Sequence, residues 1–164
     1  MQLEEFWKIV EVARSASSSD PDERVDALRA ALSRLSLAQL QEFQAHYDAL
    51  HARAYRWDLW GAAYVMNGGC SDDGFHYFRD WLISEGREVY EAALRDPESL
   101  AALPRVRAAE NEPYGYVARG LFEEAGGGEL ERSASTQPSE PVGTAWDESE
   151  INGLYPRLAE KYTD

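Results

Sequence analysis

The chain has 164 residues, a formal net charge of −14 and one cysteine. That length suits one domain with its own hydrophobic core, without help from disulfides or metal. The acidic balance opposes nucleic-acid binding, which needs a positive face, and a lone cysteine closes no internal disulfide, which fits a reducing compartment.

Hydrophobic residues make up 44% and aromatics 12%, which argues for a folded chain over most of its length. No apolar run approaches the roughly 20 residues of a membrane span. The opening MQLEEFWKIVEVARS is acidic and amphipathic, without the basic and apolar regions of a signal peptide. A cytoplasmic location is therefore expected, with no membrane or nucleic-acid partner. An acidic surface serves solubility, or a basic protein partner.

Leu3, Phe6, Trp7, Val10 and Ala13 recur at helical spacing and predict a first helix, ended by the serine-rich 15–19 segment. Asp20, Pro21 and Glu23 then read as cap, first helical position and capping-box partner of a second helix buried through Val25, Leu28, Leu32 and Leu35. Ser36 and Gln39 form another capping box, with Leu35 and Leu40 as its staple. The third helix carries Leu40, Phe43, Tyr47, Leu50, Ala54, Trp57, Gly61 and Tyr64 on one stripe. From Trp57 the other faces turn apolar too, so the second half reads as a central helix, with Trp57 to Met66 the most buried segment. Continuous from Leu37 to Met66, this helix would be about 45 Å long, and a bend near Gly61 is expected.

Asn67-Gly68-Gly69 stops it. Ser71 caps a fourth helix with Asp72 and Asp73 in its first turn and Phe75, Phe78, Trp81 and Leu82 buried. Val89, Tyr90, Ala93 and Leu94 mark a fifth, and Asp96-Pro97 starts one more turn. Pro113 to Glu124 reads as helix, stopped by three glycines. The polar 125–146 segment, with Pro138 and Pro141, reads as an exposed linker within the domain. Asp147 and Glu150 suggest a last capped helix, weak or split at Gly153 and Pro156. The expected fold is all-α: residues 1–164 form a single compact domain of six to eight helices around a buried central helix.

The stretch 54–87 holds Trp57, Trp60, Trp81 and the only cysteine. Its candidate polar site consists of Arg56, Asp58, Asn67, Asp72, Asp73, His76 and Arg79, with Asp80 beside them. Arg56 and Asp58 interrupt an apolar run, where a charge must be paired or face water. Arg79 is a candidate partner for Asp58. The bland reading is an ion-pair network tying the third helix to the fourth. The sharper one joins Asp58, Asp72, Asp73 and His76 as metal ligands or acid and base, although DDxxH is not a specific signature. Asp72 and Asp73 are also explained by the helix dipole. Cys70 precedes a helix start, which favours a thiolate, but the neighbouring aspartates oppose one. His46 and His51, five apart, fall on different helix faces. No HExxH, CxxC pair, phosphate loop or GxSxG is present. No cofactor or metal is assigned.

The run RWDLWGAAYVMNGGCSDDGFHYFRDWLISEGREVYEAAL resembles the bacterial domain-of-unknown-function family numbered 4240, with EEFWKIVEVAR and AWDE as similar flanks. The strong resemblance covers about residues 54–100. It implies no activity and carries over no catalytic residues. The expected function is that of an interaction or regulatory module, such as an immunity-type protein that neutralises a cationic toxin. The alternative is an enzyme or metal-binding protein built on the Asp/His/Arg cluster of residues 56–80.

Overall fold

Helix signals written in the sequence are used nearly throughout. The computed structural model describes residues 1–131 and 137–163. In chain order the α-helices are α1 (Leu3–Ser15), α2 (Pro21–Leu32), α3 (Leu37–Arg53), α4 (Trp57–Asn67), α5 (Asp72–Ser84), α6 (Arg87–Arg95), α7 (Val117–Glu124), α8 (Ile151–Leu154) and α9 (Pro156–Tyr162). Two 3-10 helices, Pro97–Ala102 and Glu112–Tyr116, link α6 to α7, and a third, Glu148–Glu150, leads into α8. Among the described residues there is no strand; the fold is all-α, and an isolated parallel bridge joins Arg56 to Val142.

The caps act as local chemistry requires. Asp20 accepts from the backbone N–H groups of Asp22 and Glu23. Glu23 turns away from its expected capping-box role and accepts from Ser18 instead. Ser36 and Gln39 form the reciprocal box, and Ser71 accepts from Gly74 N–H at 3.1 Å. Gly68 ends α4 in the left-handed region, at φ 67°, where a side chain would be strained.

The long third helix is instead two helices. α3 stops at Arg53, the chain turns at Tyr55 with Arg56 N–H bonded to Ala54 O at 2.9 Å, and Arg56 is extended before α4 begins at Trp57. The cause lies far along the chain. Val142 donates its N–H to Tyr55 O at 3.0 Å and accepts from Trp57 N–H at 2.9 Å. These two bonds satisfy backbone groups freed by the break. The chain breaks at residues 54–56 rather than at Gly61, which lies inside α4 as a packing slot. A Cβ there would lie 2.5 Å from the Tyr155 hydroxyl, so only glycine lets that ring settle against α4. Tyr155 then donates to Asp58 O at 2.6 Å. Pro156 begins α9, which splits the last helix as its sequence suggested. These two divisions raise the helix number above the expected six to eight.

The most enclosed element is α5, not α4. Every residue from Phe78 to Ser84 is buried, including Arg79 and Asp80. In α4, Leu59, Ala62, Ala63, Val65 and Met66 are buried, but Trp57, Asp58, Trp60 and Tyr64 are only half-buried. α5 packs against α1, α3, α4, α6 and the Glu112–Tyr116 turn. Phe6, Leu28, Leu32, Phe43, Leu59, Phe75, Phe78, Leu82, Ile83 and Tyr90 complete one continuous core. Burying a large aromatic or aliphatic side chain contributes roughly 1.5–3 kcal/mol.

Beyond α7, the segment read as a linker includes residues 132–136, which lie outside the described residues. Around them, Leu130 is buried, Val142 pairs with the α3–α4 break, and Trp146 lies edge-on to Trp57. Trp146 donates its ring N–H to Trp57 O at 2.7 Å.

Candidate functional site

Three polar places lie along the stretch from 47 to 116. The innermost joins α3 to α5. Tyr47 and His51 stand four residues apart on α3 and so share the face that meets α5. Tyr47 donates to Asp80 Oδ1 at 2.6 Å. His51 Nε2 stands 3.3 Å from the same oxygen and 3.1 Å from the His76 carbonyl. A carbonyl only accepts, so His51 carries its proton on Nε2 in this arrangement. The His51 and His76 rings lie 4.3 Å apart. His51, His76 and Asp80 each bring a ligand-type atom within 4.8 Å of the other two. His76 is the exposed member; His51 and Asp80 are buried.

Arg79 is 2% exposed. Its guanidinium lies over the Tyr55 and Phe75 rings, at 4.7 and 4.8 Å. Nη1 donates to His51 O at 3.1 Å and to Gln137 Oε1 at 3.0 Å. Burial pushes its pKa down to about 10, against the opposing pull of Asp80. It therefore stays cationic at neutral pH, held by ring faces and carbonyl-type oxygens. Burial first, and then the Asp80 charge, holds the Tyr47 hydroxyl well above its ordinary pKa. It serves as a hydrogen-bond donor rather than an acid. Gly115 makes the approach of the 3-10 turn possible, because a Cβ there would meet Asp80 Oδ1 at 2.7 Å.

The second place is the start of α4. Arg56 pairs with Asp58 through two bonds of 3.0 and 2.8 Å, in a half-exposed fork. Asp58 therefore has a local partner, and the pairing expected with Arg79 is not made. Trp57, Trp60 and Phe75 form a stack beside it, with ring centroids 5.2 and 5.1 Å apart.

The third place is the first turn of α5 with the loop before the Glu112–Tyr116 turn. Asn67 clamps that loop: its side chain donates to Ala109 O at 3.3 Å and accepts from Ala109 N–H at 2.8 Å. Asn111 N–H donates to Tyr77 O at 3.0 Å. The loop so held brings Glu110 to the Cys70 that Asp72 also faces, and Glu112 to the Tyr77 that Asp73 also faces. Tyr77 is shifted upward by burial and then by Glu112 and Asp73. Burial, and then Glu110, pushes the Cys70 thiol up to about 12. A thiol so raised is protonated at neutral pH and a poor nucleophile.

The seven sequence-derived residues thus divide among three places. Arg56 and Asp58 pair with each other, Asn67, Asp72 and Asp73 belong to the acidic face, and His76 and Arg79 border the α3–α5 seam. Tyr47, His51 and Asp80 stood outside that set. Their signal was present: Tyr47 and His51 flank Leu50 on the buried stripe of α3, at a four-residue step.

These features define an all-helical domain with a buried polar seam between two helices and an acidic face beside it. The chain belongs to the family described as protein of unknown function (DUF4240), whose model matches residues 1–124. No curated protein and no solved structure matches the chain. Among the described residues, no helix is long and apolar enough to cross a membrane.

Proposed function

We propose that the chain is an interaction module that docks a basic protein segment on the face built from the first turn of α5 and residues 110–116. One observation carries this reading. Acidic groups of two separate segments act on neighbouring side chains, Asp73 and Glu112 on Tyr77, Asp72 and Glu110 on Cys70, and Tyr116, 45% exposed, stands beside the same Tyr77. An exposed tyrosine beside a group of acidic side chains is the pattern of an aromatic anchor with a steering rim. Arg119 lies 5.3 Å over the Tyr116 ring and braces it. The net charge of −14 extends the same attraction at long range.

The test compares two variants of equal charge change in affinity capture from cells of the source organism. Asp73→Lys/Glu110→Lys/Glu112→Lys reverses the face. Glu4→Lys/Glu5→Lys/Asp26→Lys changes exposed positions on α1 and α2 by the same amount. The expected result is a basic protein captured by wild type and by the α1–α2 variant, released by salt, and lost from the face variant. Equal capture by both variants would reject the proposed face.

A further inference from the structure

We infer that His51, His76 and Asp80 form a binding site for one zinc ion at the α3–α5 seam. The inference is independent of the docking face, because it uses none of the acidic residues at the start of α5.

Geometry comes first. Three donor atoms no more than 4.8 Å apart lie within about 2.8 Å of a common centre, and zinc takes nitrogen and oxygen ligands at about 2.0–2.2 Å. Shifts of under about an ångström therefore close the site. One edge is already at the required length. His51 Nε2 and Asp80 Oδ1 stand 3.3 Å apart, and two ligands about 2.0 Å from one tetrahedral ion are separated by about that distance. His76 is on the exposed side of the seam.

The surroundings supply the outer support that metal ligands need. Tyr47 holds Asp80 Oδ1 from the buried side. Arg79 fixes the backbone of His51 through its carbonyl. The ring contact of His51 with Tyr47, at 6.2 Å, limits the imidazole to small tilts. Two imidazoles and one carboxylate select zinc and its transition-metal neighbours over magnesium or calcium, which require mostly oxygen. Three protein ligands leave a fourth position for water or a substrate atom.

Proton balance is simple. Zinc takes the Nε2 lone pair, and the proton now shared with the His76 carbonyl leaves Nε2. The neutral imidazole carries one proton on Nδ1 instead. The cost is one hydrogen bond and the repulsion of the Arg79 cation, which Asp80 partly offsets. Both lower the affinity relative to a closed structural zinc site.

The experiment is thermal unfolding of the full chain with zinc chloride, magnesium chloride or no metal. It uses wild type, His76→Ala and Asp72→Asn/Asp73→Asn. His76 is exposed, so its replacement should leave the metal-free midpoint within a degree or two of wild type. The expected result is a wild-type midpoint that rises with zinc concentration and not with magnesium, as linkage demands of a ligand bound only by the folded state. His76→Ala should lose the rise, and the double aspartate variant should keep it. Isothermal titration should give one zinc per chain for wild type and none for His76→Ala. A zinc response equal in wild type and His76→Ala would place the ion elsewhere on the acidic surface and overturn the site. Loss of the response in the aspartate variant, or no response in wild type, would overturn it as well.

Discussion

Tyr47 donates its hydroxyl hydrogen to Asp80 at 2.6 Å, and that bond joins the two helices that carry the polar seam. Both residues are nearly inaccessible to water. A buried carboxylate needs its donors, and a hydrogen bond to a charged group contributes about 1.5–3 kcal/mol. Tyr47→Phe keeps the ring and removes the donor. It should lower stability by about that amount in chemical denaturation. A loss under about 0.5 kcal/mol would show that Asp80 is satisfied by its other neighbours.

Gly115 should prove as demanding as either partner. A Cβ at that position would meet Asp80 Oδ1 at 2.7 Å and the rest of the carboxylate at 3.2 and 3.3 Å. The carboxylate is fixed by Tyr47, so the 3-10 turn has to yield. Gly115→Ala should cost about 1–3 kcal/mol, the usual range for overpacking. The companion change Gly120→Ala meets nothing within 4 Å and should be neutral or slightly stabilising. Equal midpoints for the two variants would refute this contact as the cause.

The three tryptophans of the 54–87 stretch should differ in weight. Trp81 is 3% exposed within α5, so Trp81→Ala should cost about 3–5 kcal/mol. Trp57 and Trp60 are half-buried under Trp146, and each change to alanine should cost roughly half as much. Urea denaturation of the three variants decides the order. A Trp57→Ala cost equal to that of Trp81→Ala would place α4, not α5, at the centre.

The contrast between α4 and α5 shows which features local sequence can express. Asp20, Ser36, Ser71 and Gly68 act within a few residues of themselves, and each cap stands where its own spacing placed it. The end of α3 has no such mark. The chain leaves the helix at Tyr55 and Arg56 because Val142 offers partners to Tyr55 O and Trp57 N–H, and nothing between residues 50 and 60 announces Val142. α4 is apolar on every side and so resembles a central helix, while α5 carries Arg79 and Asp80 and resembles a half-exposed one. The order is reversed because those charges are satisfied across the fold, by Tyr47, the His51 carbonyl and the Tyr55 and Phe75 rings. The same reason separates the sequence-derived polar set from the seam. His76 and Arg79 were visible as polar residues in an apolar stretch, but the pairing of His51 with Asp80 is a relation between two helices, which helical spacing alone does not contain.

The acidic first turn of α5 gives a further expectation. Asp72 and Asp73 are exposed and sit where the helix dipole favours anions. Asp72→Asn and Asp73→Asn should each lose about 1 kcal/mol or less. Asp72 shares Cys70 as a neighbour with Glu110, and Asp73 shares Tyr77 with Glu112, so each substitution also relieves some like-charge repulsion and reduces the loss. Thermal unfolding at low and high salt separates the two terms. A midpoint that rises in either variant at low salt alone would show that repulsion outweighs the dipole.

Cys70 should report its surroundings through pH. Its thiol is pushed from the ordinary 9.0 to about 12, by burial first and then by the Glu110 charge. At pH 8 its thiolate population is then about a thousandfold below that of an ordinary thiol, at a factor of ten per unit. Native protein should react with iodoacetamide at least about a hundredfold more slowly than the urea-unfolded chain. The sign of the stability effect follows from the same shift. Between pH 9 and 12 the native state keeps a proton that the unfolded chain releases, so stability falls as pH rises through that window. Cys70→Ser removes the titrating group and should flatten the part of the slope that Cys70 contributes, leaving that of the buried tyrosines. Matching alkylation rates for native and unfolded protein, or an unchanged slope in Cys70→Ser, would show that the thiol titrates as it does in water.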